Sequence, residues 1–283
     1  RITATDPGPD ILEAAIDSVA VRAHDDATVC GSGEGGQCDP GLGAAACPDA
    51  LLCCPQGSIQ AGVHRCAAAV RSLDPADPPP TSADPFNGPL GCDAPDLFVE
   101  QEGMEIYEDQ TFFNEGSCEI FEGCITEPGW RNVLRFDTQT PNAGSRDLTM
   151  GVPSNHPDLF HWSECHGHYH FDGYAYYDLL DGSGTVVATG HKQAFCLLDW
   201  SPWAWADDDG THTCGNQGIS VGWEDVYGSY LDCQYIDITD VTPGDYTLRI
   251  SVNLPLPETS VAPLVERDYE NNVLEVPVTL VGM

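Results

Sequence analysis

The clearest alternation of apolar and polar positions lies near the end of the chain. Over residues 246–252, Tyr246, Leu248, Ile250 and Val252 face one way while Thr247, Arg249 and Ser251 face the other. A period of two over that length predicts a half-buried β-strand. Leu274, Val276, Val278 and Leu280 alternate in the same manner with Glu275, Pro277 and Thr279. The proline lacks an N–H for a central ladder, which predicts an edge position for this second strand. Residues 133–136 and 174–180 read as further strands, and turn signals recur at Asp181-Gly182, Ser183-Gly184 and Pro243-Gly244. No long stretch keeps a helical period; the one helix predicted is short and weakly amphipathic, over residues 10–21. The pattern predicts a mainly β protein, with a β-sandwich-like domain carrying long loops over residues 92–283.

Cysteine spacing adds a second region. Six of the 13 cysteines fall between positions 30 and 66 (Cys30, Cys38, Cys47, Cys53, Cys54, Cys66), among Gly, Ala and Pro. Such a segment has too little apolar surface to fold unaided, which predicts a small disulfide-rich module over residues 30–71, with connectivity open and a zinc cluster as the competing reading. An acidic segment, 1–29, precedes it, and residues 72–91 form a proline-rich linker expected to be extended and without a core. So many cysteines point to an oxidising compartment. A start at Arg1-Ile2-Thr3 fits a secreted or extracellular chain whose leader has been removed, or a trimmed one.

Charge narrows the possible partners. Against 10 Lys plus Arg stand 45 Asp plus Glu, a formal net charge of −35. That field repels phosphate backbones, which argues against nucleic acid, and attracts cations. No apolar run reaches the roughly 20 residues that a membrane-spanning helix needs. Lys192 is the sole lysine, where a chain of this size ordinarily holds on the order of fifteen. Either an acidic protein has shed lysine generally, or this position needs a primary amine.

The chemistry centres on Cys165-His166-Gly167-His168-Tyr169-His170. On a strand, side chains at i, i+2 and i+4 point to one face, so three imidazoles could converge on one ion and leave coordination positions open. Imidazole suits copper, zinc and iron alike. Further along come Gly190-His191-Lys192, then Asp225-Val226-Tyr227-Gly228, then residues 232–240, then Asp268-Tyr269-Glu270-Asn271-Asn272. Together with Tyr177-Asp178-Leu179-Leu180-Asp181, these motifs stand in unbroken order over residues 93–283, and this stretch resembles the catalytic domain of the lysyl oxidase family.

The resemblance implies a copper-dependent amine oxidase that makes its own cofactor, lysyl tyrosylquinone. It implies copper at His166, His168 and His170, and a quinone formed by joining Lys192 to Tyr227. Arg could not replace Lys192, because a guanidinium stays protonated and only a free amine adds to an oxidised ring. The implied partners are dioxygen and a primary amine, cationic in keeping with the charge. A general base near Tyr227 is needed, with Asp225, Glu224 and His191 as candidates. The resemblance also implies a structural calcium site at Asp96, the carbonyl of Leu97, Glu266, Asp268, Asn271 and Asn272, all oxygen donors of the kind calcium takes.

From the same resemblance, Cys118 is expected to pair with Cys124 and Cys165 with Cys214. Cys196 and Cys233 match positions whose usual partners are missing, Trp223 standing at one; they are expected to pair with each other or with Cys92. The odd cysteine count leaves one thiol free or joined to another chain. Tyr176 and Ser163 depart from histidines of animal members. Two other readings stand beside the oxidase. One is a metal-binding adhesion module without oxidase activity, against which Lys192 and Tyr227 speak. The other is a zinc hydrolase, for which no carboxylate has an evident general-base spacing.

Overall fold

The computed structural model describes residues 37–38, 40–41, 47, 51–59, 63–73, 86, 88–191, 194–204, 210–257 and 260–282. The chain divides into two compact units, Arg1–Cys54 with Val63–Ala69, and Pro55–Gly62 with Val70–Met283. The predicted helix over 10–21 and Cys30 lie outside the described residues.

The first unit is built on sulfur. Strand β1 (Leu52–Pro55) pairs with β2 (His64–Ala67), and Gln37 bridges to Arg65. Disulfides join Cys38 to Cys53 and Cys47 to Cys66. Cys38 and Cys66 are buried, with Cys47, Leu51 and Cys53 packed on them. The covalent links do what a hydrophobic core does in a larger domain.

The second unit is mainly β, as the sequence pattern predicts. Its strands are β3 (Val70–Arg71), β4 (Leu90–Gly91), β5 (Ile106–Phe113), β6 (Gly129–Phe136), β7 (Thr138–Pro141), β8 (Leu148–Gly151), β9 (Phe160–Ser163) and β10 (His168–Asp172). There follow β11 (Ala175–Leu180), β12 (Val186–Gly190), β13 (Ala194–Phe195), β14 (Ser201–Pro202), β15 (Gln217–Ile219), β16 (Trp223–Tyr227), β17 (Tyr235–Asp237), β18 (Gly244–Val252) and β19 (Val273–Leu280). Helix α1 (Cys118–Phe121) is a single turn. Among the described residues, no helix is long and apolar enough to cross a membrane.

The largest sheet has the order β12-β11-β18-β19. Strand β18 lies inside it, and the alternation read from the sequence is realised in its register: Leu248 lies opposite Val276 and Leu179, Ile250 opposite Leu274 and Tyr177. Strand β19 is at the edge, with Pro277 exposed, as its missing N–H requires. Smaller sheets, β17-β6-β5, β14-β16-β7, β13-β10-β9 and β15-β8, share one core with it. Leu134, Phe136, Leu148, Phe171, Tyr177, Phe195, Ile219, Ile236, Leu248 and Ile250 all belong to that core. Each such side chain contributes about 1.5–3 kcal/mol on burial.

The ends of the proline-rich segment depart from the expectation of an extended spacer. Val70 and Arg71 pair with Gly91 and Leu90, the Leu73 N–H donates to Ala143 C=O, and Leu73 is buried. An apolar side chain and a hydrogen-bonded ladder tie both ends of the segment down; residues 74–85 lie outside the described residues.

Candidate active site and its relatives

The three histidines are placed by one hairpin. Strands β9 and β10 pair in the register His168 to Ser163, Tyr169 to Trp162 and His170 to His161. Between them the chain turns through Glu164, Cys165, His166 and Gly167. The turn closes by the Gly167 N–H donating to Ser163 C=O at 2.9 Å, with Gly167 at φ +66°, a conformation glycine adopts without a Cβ penalty. The expectation of one strand face carrying all three imidazoles is therefore corrected. His168 and His170 share a face of β10, whereas His166 stands in the turn. The turn still folds it back: ring centroids lie 5.9 Å apart for His166 and His168, 5.1 Å for His166 and His170, and 5.0 Å for His168 and His170. The Nε2 atoms of His168 and His170 are 3.2 Å apart, while His166 turns its Nε2 to Glu122 Oε2 at 3.1 Å.

Tyr227 ends β16, and its hydroxyl is locked onto one peptide. It accepts from the Cys196 N–H at 2.6 Å and donates to the Cys196 C=O at 3.1 Å. Phe195 meets the ring edge-on at a centroid distance of 4.4 Å. Burial pushes the phenol well above its ordinary range, and the neighbouring Asp225 adds to the effect. The two-residue period puts Asp225 and Tyr227 on the same side of β16. Both line a cavity of about 290 Å³ together with His166, His168 and His170. Leu198, Trp200, Val226 and Leu231 give that cavity apolar walls.

Of the candidate bases, only Asp225 is in that cavity. Glu224 points away and accepts from Ser201 Oγ at 2.8 Å, its carboxyl raised by burial and by Glu100 against the lowering effect of that hydrogen bond. His191 is exposed and lines a second cavity of about 440 Å³ with His161, His170 and Glu122. The structure thus brings His166, His168, His170, Asp225 and Tyr227 together. Lys192 lies outside the described residues.

Disulfides around the site differ from those the resemblance implied. Cys118 joins Cys165, Cys124 joins Cys233, and Cys196 joins Cys214. Cys118 opens the one-turn helix and Cys124 follows it, and each is bonded to a cysteine in a turn distant in sequence, with Cα–Cα distances of 5.7 and 5.4 Å. Cys196 meets Cys214 across the cavity wall, which leaves neither Cys165 nor Cys233 for those partners. Cys54 and Cys92 are also disulfide-bonded. Trp223 is buried in the core.

A second cluster gathers the other polar residues singled out in the sequence. Glu266 accepts from the Leu97 N–H at 2.6 Å, from Asn272 Nδ2 at 3.0 Å and from Asn253 Nδ2. Asn271 Nδ2 donates to Asp96 Oδ1 at 2.9 Å. Burial, with Asp96 beside it, pushes Glu266 up to about 8. Burial and Asp268 push Asp96 up to about 6 against the lowering effect of Asn271 and Arg267. The side-chain oxygens of Asn271 and Asn272 are buried without a hydrogen-bond partner. Buried acids beside unsatisfied amide oxygens form a donor set that a hard cation fits.

One residue at the histidine centre escaped the sequence reading. Glu122 lies in the Cys118–Cys124 segment, where only the cysteines gave a signal. Knowledge that Cys118 pairs with Cys165 would have put it beside His166.

The model of the lysyl oxidase family matches residues 115–282, the stretch that holds the hairpin, β16 and the C-terminal oxygen cluster. The chain is 38% identical to chicken (Gallus gallus) lysyl oxidase homolog 2 over 213 residues, 69% of this chain and 26% of the relative. It is 38% identical to the human (Homo sapiens) protein over 197 residues, 64% of this chain and 24% of the relative. With Xenopus laevis lysyl oxidase homolog 2 the identity is 39% over 196 residues, again 64% and 24%. The chain thus spans about a quarter of the length of these relatives. A family match over most of the second unit, with the histidine hairpin and Tyr227 inside it, makes this chain a member of the lysyl oxidase family.

Proposed function

We propose that this protein is a secreted copper-dependent oxidase of primary amines that uses a lysyl tyrosylquinone made from its own Lys192 and Tyr227. Family membership supports a copper amine oxidase type of activity. One observation carries the finer reading: the phenol of Tyr227 and three imidazoles line the same cavity. Two Nε2 atoms 3.2 Å apart beside a third imidazole are a donor set that fits copper. His166, His168 and His170 would hold the ion, which when bound supplies one-electron chemistry with dioxygen. Lys192 and Tyr227 would hold the quinone, which would supply an electrophilic carbonyl for an amine.

The remaining roles belong to side chains of the chain itself. Tyr227 is held by its two contacts with Cys196 until it is oxidised. Asp225, two residues before it on the same strand face, is the base that takes the α-proton of the substrate amine. Leu198, Val226 and Leu231 give the cavity apolar walls against which the carbon chain of an amine packs. One primary amine, one dioxygen and one water give one aldehyde, one hydrogen peroxide and one ammonia, and the substrates are small primary amines or the lysine side chains of basic proteins. A separate calcium ion, bound by Asp96, the Leu97 carbonyl, Glu266, Asp268, Asn271 and Asn272, ties the start of the domain to its last hairpin. The two unsatisfied amide oxygens support that assignment. Disulfides throughout the described residues favour an extracellular setting.

The test is to load the protein with copper in air, add a primary amine and measure peroxide. Release of peroxide, and a covalent link between the peptides holding Lys192 and Tyr227 by mass spectrometry, are the expected results. Lys192→Arg should abolish both; quinone absorbance surviving that substitution would refute the cofactor assignment.

A further inference from the structure

We propose that Glu122 is the positioning residue of the histidine centre, fixing the direction and tautomer of His166, with Ser163 as the anchor between them. The inference deepens the copper reading and rests on it for the identity of the ion. Glu122 Oε2 lies 3.1 Å from His166 Nε2. Its other oxygen accepts from Ser163 Oγ at 3.0 Å, and the same Oγ accepts from the backbone N–H of His166 at 3.1 Å. Both carboxylate oxygens and both ends of the His166 residue are therefore tied into one closed loop of hydrogen bonds. The Nε2 atoms of His168 and His170 approach each other at 3.2 Å.

The approach of the carboxylate is set covalently. Glu122 follows helix α1 directly, and its N–H closes the helix by donating to Cys118 C=O. Cys118, at the start of that helix, is bonded to Cys165, the neighbour of His166 in the turn. Cys124, two residues past Glu122, is bonded to Cys233. A flexible surface glutamate would hold such a pair weakly. This one is stapled on both sides, with side-chain exposures of 22% for Glu122 and 19% for His166.

The chemical consequence follows from the imidazole. A carboxylate accepts and does not donate, so it keeps the proton on Nε2 and leaves the lone pair on Nδ1. His166 then offers a different ring nitrogen from the Nε2 atoms that His168 and His170 turn towards each other. Carboxylates that orient a ligating imidazole in this way typically change metal affinity 10–100-fold. The small hydroxyl of Ser163 is what reaches both Glu122 and the His166 backbone.

The test uses the full chain, first without metal. In ¹⁵N-labelled protein at alkaline pH, the His166 ring is expected as the Nε2-protonated tautomer in the wild type and as a mixture in Glu122→Ala. Glu122→Gln, whose amide oxygen still accepts from Nε2–H, should restore the wild-type tautomer in part. Ser163→Ala should move the ring in the same direction as Glu122→Ala, by less. An identical His166 signature in wild type and Glu122→Ala overturns the proposal, whatever the protein does with copper. In copper competition titrations, Glu122→Ala should bind about 10–100-fold more weakly, with a changed Cu(II) EPR spectrum and an unchanged metal-free melting temperature. Equal affinity with identical spectra also overturns it. If His166 depends on Glu122 but the wild type binds no copper, the positioning role stands and the copper reading fails.

Discussion

Glu266 accepts three hydrogen bonds and is still 2% exposed, so its charge sits where water cannot screen it. Burial raises its carboxyl from 4.5 to about 8, and Asp96 is raised from 3.8 to about 6 in the same way. Between about 4.5 and about 8 the folded protein keeps the Glu266 proton that the unfolded chain has released. Stability from this group is therefore full at the acid end and declines as pH rises through that window. With calcium chelated, the melting temperature should fall across the window more steeply in the wild type than in Glu266→Gln. Added calcium should raise it more at the alkaline end, because the ion needs the deprotonated carboxylates, and Glu266→Gln should lose most of that response. Wild type and Glu266→Gln melting in parallel across the window would count against both the raised carboxyl and the calcium assignment. At this scale much was legible beforehand. The histidine triplet, the sole lysine and the Asp-x-Tyr-Gly frame are short and carry unusual chemistry. Strand parity on β16 separates Asp225 from Glu224, whereas His191 is set apart only by the fold, which puts it in a second cavity. Counting by twos from Tyr227 selects Asp225 and sends Glu224 to the other face.

Elements were legible where a period ran long enough to be counted. Strands β18 and β19 came from strict alternation, and Pro277 gave the edge. The predictions at this scale contrast the two faces of β18. Leu248→Ala empties a fully buried site between Leu179 and Val276 and should cost about 2–5 kcal/mol. Arg249→Ala removes a partly exposed pair with Glu275 at 2.8 Å and should cost under about 1 kcal/mol. Chemical denaturation gives both values, and a reversed order would contradict the assigned register. The disulfides were not legible, because spacing gives proximity along the chain but no direction. Cys118 and Cys124 lie at and just past a one-turn helix that no period could reveal. Their true partners also make α1 a functional element rather than a connector. Replacing Cys118 and Cys165 by serine opens a loop with a sequence separation of 47, a loss of about 4 kcal/mol in the chain-entropy model. The same variant should weaken copper binding in the same direction as Glu122→Ala. Copper binding unchanged after that loss of stability would separate the staple from the histidine centre.

For the whole molecule the dominant quantity is charge. A net −35 spread over a protein with 10 basic residues sets up a potential that does not depend on the details of the fold. It was therefore readable from composition alone. The cavity beside the histidines has largely apolar walls, with Asp225 and Asp232 among its lining residues, so under the proposed function it would hold the aliphatic stem of an amine while the surrounding field draws in the ammonium. Attraction of this kind acts on encounter more than on chemistry, and salt screens it with a Debye length near 10 Å at 0.1 M. A lysine-rich peptide presents several positive charges to that field, and a small monoamine presents one. Raising salt from about 0.05 to about 0.5 M should therefore lower kcat/KM for the peptide by about tenfold or more, and for the monoamine by much less. The loss should fall on kcat/KM with kcat nearly constant, since screening acts on the approach of the cation and not on an amine already bound beside Tyr227. A peptide and a monoamine responding to salt alike would mean that the acidic surface serves solubility alone and plays no part in choosing the substrate.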